Sequence, residues 1–151
     1  MSRLLIVYHS QSGATASLMR AVQRGALQEE GTRVKLLPAL EASTADLLWC
    51  DGVVFGSPEN LGYLSGGLKD FFDRTFYPAQ PHQLNIPYAA VISAGNDGTA
   101  ALRQLQRIVS GYPMRCVAEP LIFKGEVDES AVERCEELGL ALAAGLAMGI
   151  F

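Results

Sequence analysis

Residues 4–20 of the chain, LLIVYHSQSGATASLMR, decide the fold. The continuous apolar run LLIVY is followed at once by the hydroxyl- and glycine-rich HSQSGAT and then by a helix-like segment. Unbroken apolar runs are typical of strands that are buried on both faces of a parallel sheet. The stretch therefore predicts a strand, a tight polar loop and a helix. Such a loop favours an anion, because backbone N–H groups and the helix dipole point at it, but the same residues also form an ordinary helix cap.

The same alternation continues along the chain. Five short runs rich in Val, Ile and Leu are predicted as strands, at residues 4–8, 33–37, 52–56, 88–93 and 116–123. Helix-like segments are predicted at residues 14–29, 43–48, 65–76, 99–110 and 129–148. Strands that alternate with helices form right-handed βαβ units. We therefore predict an α/β fold of three layers, in which a doubly wound, five-stranded parallel sheet carries helices on both faces, and one domain over residues 1–151.

Composition and charge argue against nucleic acid, a metal ion and a membrane as partners. The 151 residues carry a formal net charge of −4 without any basic cluster, which argues against nucleic acid. Cys50, Cys116 and Cys135 are far apart and match no metal-ligand spacing, so we expect reduced, mostly packed thiols and no metal site. The amino terminus lacks a signal-peptide pattern, and the apolar carboxyl terminus is shorter than the roughly 20 residues of a membrane helix. We expect a cytoplasmic protein that does not insert into membranes.

The first loop, SQSGAT at residues 10–15, carries hydroxyls at Ser10, Ser12 and Thr15. Gly13 allows a ligand to approach the backbone closely. The loop contains no lysine or arginine, and the chain contains neither GxxxxGK[ST] nor GxGxxG. An uncharged loop of hydroxyls suits a terminal phosphate monoester held by neutral donors.

The second loop begins the stretch GSPENLGYLSGGLKDFFDRTF at residues 56–76. Pro58 stiffens the turn, while Asn60 and Gly62 tolerate left-handed backbone geometry. Tyr63 adds an aromatic face at the tip. Taken alone, the stretch also fits a strand-to-helix turn without chemical interest.

The third loop begins SAGNDGTAAL, at residues 93–102, and again connects a strand to a helix. Gly95 and Gly98 flank Asn96 and Asp97, which leaves backbone donors exposed. Asp97 is the nearest candidate to reach the polar edge of a ligand. Asn-Asp-Gly is also common in ordinary turns, so this loop alone is a weak signal. Ligands of such sheets bind at the carboxyl ends of the strands, where all three loops lie.

One ligand accounts for the three loops: flavin mononucleotide (FMN) has a phosphate, a planar ring and a polar chain that joins them. On the stretches SQSGAT, GSPENLGYLSGGLKDFFDRT and SAGNDG, the sequence resembles the flavodoxin-like superfamily, especially its FMN reductase and NAD(P)H:quinone oxidoreductase branches. The resemblance covers nearly the whole chain. It implies the strand order 2-1-3-4-5, FMN as cofactor and NAD(P)H as a possible co-substrate.

The resemblance also implies which residues hold the cofactor. The phosphate would be bound by Ser10, Gln11, Ser12, Gly13 and Thr15, with a backbone N–H from Ala14. The second loop would bind and line the ring through Ser57, Pro58, Glu59, Asn60, Leu61, Gly62 and Tyr63. The ribityl chain and the pyrimidine edge would meet Ser93, Ala94, Gly95, Asn96, Asp97 and Gly98.

Three functions remain open at this stage. The first is an NAD(P)H-dependent oxidoreductase that passes electrons to a quinone or a similar small acceptor. The second is a flavodoxin-type one-electron carrier between redox proteins, which usually has many acidic residues around the flavin. The ring loops here bring only Glu59 and Asp97, so the reductase is favoured, although the chain lacks the insertions of longer quinone oxidoreductases. The third, an interaction module without cofactor, is disfavoured by the hydroxyls of the first loop.

The remaining polar and aromatic candidates carry no assigned chemistry. A flavin would supply the redox reaction, so we assign no residue as catalytic acid, base or nucleophile. His9 is expected to be structural or to assist the phosphate, His82 to lie in a surface loop, and Trp49 to pack in the core.

Small residues on the last helix permit close packing. Gly139, Gly145 and Gly149 are expected to pack on the sheet of their own domain, and a homodimer through this surface is the alternative.

Overall fold

The centre of the molecule is a seven-stranded sheet, and the structure, a computed structural model, describes residues 1–151. Its strands are β1 (Ser2–Tyr8), β2 (Thr32–Pro38), β3 (Gly52–Asn60), β4 (Tyr63–Leu64), β5 (Pro87–Ala94), β6 (Arg115–Cys116) and β7 (Leu121–Lys124). The parallel order is β2-β1-β3-β5, and β6 and β7 both pair with the outer edge of β5. The predicted order 2-1-3-4-5 is confirmed, since β5 is the fourth predicted strand and β6 and β7 together are the fifth.

The fifth predicted strand, residues 116–123, is not continuous. Pairing with β5 stops after Cys116 and resumes only at Leu121. Pro120, just before the resumption, has no N–H to donate to the ladder. The break lies on an edge strand, where no further strand depends on the ladder.

Five helices cover the two faces of the sheet. They are α1 (Ala14–Ala26), α2 (Thr44–Trp49), α3 (Gly66–Ala79), α4 (Thr99–Ser110) and α5 (Glu129–Ala147). Helices α2, α3 and α4 pack on one face, and α1 and α5 pack on the other. The first helix ends three residues before its predicted end, because the Glu29 carboxylate accepts the Gly31 N–H at 2.9 Å and fixes a turn into β2. No helix combines the length and the apolar character needed to cross a bilayer.

The two faces of the sheet have separate cores, as the unbroken LLIVY run predicts. In β1, Leu5 and Val7 point into the core under α3 and α4. Leu4 and Ile6 point into the core under α1 and α5. All four are at most 1% exposed, so β1 is buried on both faces.

Glycines allow α1 and α5 to touch through their backbones. A Cβ on Gly139 of α5 would overlap a carbonyl oxygen of α1, and a Cβ on Gly25 of α1 would overlap a carbonyl oxygen of α5. Gly145 packs against the ring of Phe151, while a Cβ on Gly149 would meet no atom within 4 Å. The expected packing of these glycines on the sheet is therefore wrong: Gly139 packs against α1 and Gly145 against Phe151, both within the chain. The homodimer stays a prediction.

The cysteines are free thiols in two different environments. Cys50 and Cys135 are buried, and burial raises the pKa of each thiol to about 12. Cys116 is exposed on β6. The expectation of mostly packed thiols is confirmed for two of the three.

The topology places several loops at one edge of the sheet. From β1 the chain moves outward to β2 and then returns to β3 on the other side of β1. The strand order thus reverses between β1 and β3, and a crevice opens there at the carboxyl ends of the strands. The loops after β1, β3, β5 and β7 all end at this edge.

Candidate functional site

The first loop, residues 10–15, folds around the hydroxyl of Ser10. Gly13 adopts the left-handed conformation, with φ +103°, immediately before α1. The Ser10 hydroxyl oxygen accepts the N–H groups of Gly13 and Ala16, each at 3.2 Å. The Ser12 side chain is exposed and lies at the mouth of the crevice. The loop therefore presents neutral donors beside the amino end of a 13-residue helix.

Thr15 links the first loop to the third through a buried hydrogen bond. Its hydroxyl lies 2.8 Å from the hydroxyl of Ser93, and the bond is buried. Thr15 is only 1% exposed, so its side chain supports the loops and does not face the mouth of the site. The sequence placed both residues in the site but gave no sign that they bind each other.

The second loop is a hairpin, residues 57–64, which we call the ring hairpin. Asn60 of β3 pairs with Tyr63 of β4, and the two-residue turn between them has φ +53° at Leu61 and +72° at Gly62. Two successive positive φ values are typical of a type I′ turn, which usually carries Asn or Gly at both positions. Leu61 adopts this conformation with a fully exposed side chain, and a strained backbone of this kind is typical of functional loops.

Two hydrogen-bonded side chains hold the ring hairpin in place. Ser57 is fully buried, its hydroxyl donates to the Pro58 carbonyl at 2.8 Å, and its oxygen accepts the Ser65 N–H at 2.9 Å. At the tip, the Asn60 amide donates to the Gln11 side-chain oxygen at 2.8 Å. The hairpin is therefore tied both to the start of α3 and to the first loop.

Glu59 connects the ring hairpin to the third loop, residues 93–98. Its two carboxylate oxygens accept the N–H groups of Gly98 and Ala101, each at 3.1 Å. These donors belong to the amino end of α4, where a negative charge is stabilised by the helix dipole. The helix end is thus satisfied by Glu59.

Asp97 is turned toward α4 and away from the crevice. Its carboxylate accepts the backbone N–H of Thr99 at 3.4 Å and the hydroxyl of Thr99 at 2.8 Å. The hydrogen bonds from Thr99 lower the pKa of Asp97. Gly98 has φ +93°, and a Cβ there would lie 2.6 Å from the side chain of Ile122, so this turn requires glycine.

Glu59→Ala is expected to lower the free energy of unfolding of the cofactor-free protein by about 1–2 kcal/mol. The substitution leaves two N–H groups at the start of α4 without their acceptor and removes a favourable charge from the helix terminus. Urea denaturation followed by circular dichroism measures the change. Glu119→Ala, at an exposed position without hydrogen-bond partners, is the matched control and should have almost no effect. If both variants are as stable as the parent, Glu59 does not stabilise the amino end of α4.

The loops enclose a cavity of about 390 Å³ between β1, β3 and β5, within the size range of small-molecule sites. Eight predicted site residues line it: Ser12, Ala14, Pro58, Glu59, Asn60, Ser93, Ala94 and Gly95. The other predicted residues surround or support it without lining it: Ser10, Gln11, Gly13, Thr15, Ser57, Leu61, Gly62, Tyr63, Asn96, Asp97 and Gly98. The structure thus brings all three predicted loops to one cavity.

A fourth loop completes the cavity and was not predicted. Gly125 and Glu126 line it, and the Gly125 N–H donates to the Ala94 carbonyl at 2.8 Å. The signal in the sequence was indirect: β7 is parallel to β5, so its carboxyl end must reach the same edge.

The chemistry of the cavity fits FMN. The first loop offers hydroxyl and backbone N–H donors, which suit the phosphate, and a Cβ on Gly13, Gly95 or Gly125 would meet no atom within 4 Å. A ligand can therefore approach the backbone of three loops around the cavity. The exposed Leu61 side chain and the half-buried Tyr63 provide apolar surface at the hairpin for a planar ring.

The histidines and the tryptophan lie around the site in different ways. His9 follows β1, and its ring packs against Gly67 at the start of α3. Its Nδ1 is buried without a hydrogen-bond partner. His82 is exposed at the far end of α3, away from the cavity. Trp49 is partly buried against the core, with the Lys35 ammonium 4.3 Å from its ring centre.

Comparisons with known proteins agree with this geometry. The sequence profile of the family described as NADPH-dependent FMN reductase matches residues 7–127. A protein named flavodoxin from Aquifex aeolicus is 41% identical over 73 residues, and an NAD(P)H dehydrogenase (quinone) from Acidithiobacillus ferrooxidans is 32% identical over 95 residues. These alignments cover 48% and 50% of this chain, and 40% and 48% of the relatives, so the chain matches less than half of each.

Solved structures show the same fold at low sequence identity. An archaeal flavodoxin superposes with a TM-score of 0.85 at 19% identity and covers 95% of this chain and 98% of its own. A WrbA-like flavodoxin from Agrobacterium tumefaciens superposes with a TM-score of 0.81 at 20% identity and covers 99% of both chains. The fold is flavodoxin-like.

Proposed function

Because this chain belongs to the family of NADPH-dependent FMN reductases, we propose that it passes electrons from NAD(P)H through bound FMN to a quinone or a similar small acceptor. Residues 1–151 would form one FMN-binding domain of a cytoplasmic protein. No acid, base or nucleophile is assigned, since the cofactor carries the redox chemistry.

The observation that carries the proposal is the cavity where the first loop, the ring hairpin and the third loop meet. One end has neutral phosphate donors, and the other has the ring hairpin with the exposed apolar side chain of Leu61. A ligand that fills both ends needs an anion and a planar ring on one flexible chain.

The residues of the chain would hold FMN at three points. The hydroxyls of Ser10 and Ser12 and the N–H group of Ala14 would bind the phosphate, with Gly13 leaving the backbone open to it. Ala94 and Gly95, which line the cavity after β5, would lie along the ribityl chain. The ring hairpin would contact the flavin, with Leu61 covering it from solvent. Bound FMN supplies two-electron chemistry, in which a hydride is taken from a reduced nicotinamide and two electrons are released to an acceptor.

A one-electron carrier is the second candidate, and the fourth loop supports it. Glu126 lines the cavity, and the exposed Asp128 and Glu129 follow at the start of α5. Together they place negative charge beside the site, which is the property expected of a carrier that docks on basic redox proteins. On the other side, the Glu59 charge is compensated by the amino end of α4.

An anaerobic visible spectrum separates the candidates. The purified protein is loaded with FMN and mixed with NADPH or NADH, and with dithionite as a chemical control. For the reductase, we expect a yellow protein that bleaches rapidly with a nicotinamide and is reoxidised by a quinone. A yellow protein that bleaches only with dithionite, through a stable one-electron-reduced form, identifies the carrier. A protein that leaves FMN fluorescence unchanged on titration would contradict both.

A further inference from the structure

A second cavity of about 520 Å³ lies between α3 and α4. We call it the α3–α4 groove; its lining includes Tyr63, Lys69, Phe76, Tyr77, Gln104 and Arg107. Tyr63 is the residue of the ring hairpin that pairs with Asn60, and Asn60 lines the first cavity. The two cavities therefore share the ring hairpin as a wall, and the groove extends from it down the side of the domain.

The groove presents an exposed aromatic ring on a rigid support. Tyr77 is 74% exposed, although it is a large aromatic side chain. Its ring makes an edge contact with Phe76, with centroids 5.4 Å apart and planes at 89°. Phe76 in turn makes an edge contact with the buried Tyr112 at 5.1 Å. An aromatic face held in this way suits the stacking of a purine base.

The groove also contains two cationic side chains, Lys69 and Arg107, beside one carboxylate, Asp73. Helix α4 carries Arg103 and Arg107, four residues apart, and no acidic residue, whereas α5 carries four glutamates. Arg107 is exposed and makes no ion pair, and Lys69 lies across the groove with its ammonium 2.6 Å from Asp73. An unpaired guanidinium is well suited to a phosphate monoester, which it binds through two parallel hydrogen bonds.

We propose that the α3–α4 groove binds the adenosine half of NADPH. Tyr77 stacks on the adenine, and Arg107 binds the 2′-phosphate, so the groove distinguishes NADPH from NADH. The nicotinamide half then reaches over the ring hairpin toward the FMN site. This inference rests on the proposed function, because it names where that function's electron donor is held. A purine with a phosphate monoester uses both the aromatic and the cationic side chain. A second copy of the chain or a redox protein would need either the aromatic surface or the positive charge, and not both.

The test uses Arg107→Gln, which keeps a polar side chain of similar length but removes the charge. NADP⁺ and NAD⁺ are titrated into FMN-loaded protein by calorimetry, and the rate of FMN reduction is measured with NADPH, NADH and dithionite. We expect Arg107→Gln to weaken NADP⁺ binding roughly tenfold or more and to raise the KM for NADPH by a similar factor. Binding of FMN, reduction by dithionite and the KM for NADH should stay as in the parent.

Matched variants make the result specific. Arg20→Gln removes an exposed, unpaired arginine on α1, far from the groove, and should change nothing. Tyr77→Phe should bind NADP⁺ like the parent, whereas Tyr77→Ala should weaken both NADP⁺ and NAD⁺ several-fold, because it removes the stacking surface that both share.

Several outcomes overturn the inference. The inference is contradicted if Arg107→Gln binds NADP⁺ as tightly as the parent, or if it loses affinity for NADP⁺ and NAD⁺ equally. It is also contradicted if the parent sediments as a dimer and Arg107→Gln as a monomer, because the groove would then be a contact between two copies. A parent protein that binds FMN but is reduced by neither nicotinamide would instead refute the proposed reductase. The NADP⁺ titration then decides the groove separately, since it requires no electron transfer.

Discussion

Gly139→Val is expected to lower the free energy of unfolding by more than about 3 kcal/mol. Helices α1 and α5 meet through Gly139 and Gly25, and a Cβ at either position would overlap a backbone carbonyl oxygen of the other helix. A backbone atom cannot rotate away as a flexible side chain can, so the helices must separate. Their separation opens the core around Leu18, Cys135 and Leu142, which these helices cover.

The alanine variant makes this prediction sharper. In an exposed helix, Gly→Ala usually stabilises by about 1 kcal/mol, because alanine loses less backbone freedom on folding. Gly139→Ala should nevertheless destabilise the protein. Gly66→Ala is the matched control: Gly66 begins α3, and a Cβ there would meet no atom within 4 Å. The control should be neutral or slightly stabilising.

Urea denaturation of the three variants, with the midpoint and the slope fitted separately, gives the comparison. A Gly139→Ala variant as stable as the parent would show that the helices separate easily and that the close contact contributes little.

The strand-to-helix alternation was sufficient to predict the layers, because buried parallel strands have an unmistakable apolar pattern. The strand order was predicted from the family resemblance. The last helix could be recognised as a close-packing surface from its glycines. Its partner could not, since Gly25 lies in a different helix and nothing near it in sequence marks the contact.

The candidate site was predictable loop by loop but not in its connections. Ser10–Thr15 and the loop after β5 have local patterns of hydroxyls and glycines, so their positions could be read directly. The Thr15–Ser93 bond and the capping of α4 by Glu59 join residues far apart in sequence, so only the folded chain shows them. Gly125 and Glu126 have no local pattern that indicates a ligand.

The ring hairpin shows where a local rule misleads. Tight two-residue hairpins are recognised by Asn-Gly or Gly-Gly, and the turn here is Leu61-Gly62. Leucine is disfavoured at positive φ, so the sequence indicated a loop and not a hairpin. Leu61, the strained position, lies at the candidate site, and its apolar side chain is fully exposed. The fold does not need this side chain for packing, so a contact with a ligand is the better explanation of the strain.

A double variant, Ser10→Ala with Ser12→Ala, is expected to weaken FMN binding roughly a hundredfold or more and to leave riboflavin binding nearly unchanged. Each hydroxyl would donate one hydrogen bond to a charged phosphate, and such a bond contributes about 1.5–3 kcal/mol. Two of them give about 3 kcal/mol or more, which corresponds to at least about two factors of ten in affinity. Riboflavin has no phosphate, so the loss of these donors should not affect it.

Thr15 is left unchanged in this variant for a structural reason. Its hydroxyl is bonded to Ser93 under the cavity, so removing it would disturb two loops and weaken both flavins together. Ser130→Ala, at an exposed position on α5 without a hydrogen-bond partner, is the matched control. Quenching of flavin fluorescence gives the affinities of the parent, the double variant and the control for FMN and for riboflavin.

The ratio of FMN to riboflavin affinity is the informative quantity, because a general loss of stability lowers both and cancels in the ratio. A ratio that falls roughly a hundredfold places the phosphate in the first loop, since no other part of FMN distinguishes it from riboflavin. A ratio that stays constant while both affinities fall means that the serines only order the loop. The serine hydroxyls then do not bind the phosphate, and its donors must be backbone N–H groups or residues elsewhere at this edge of the sheet.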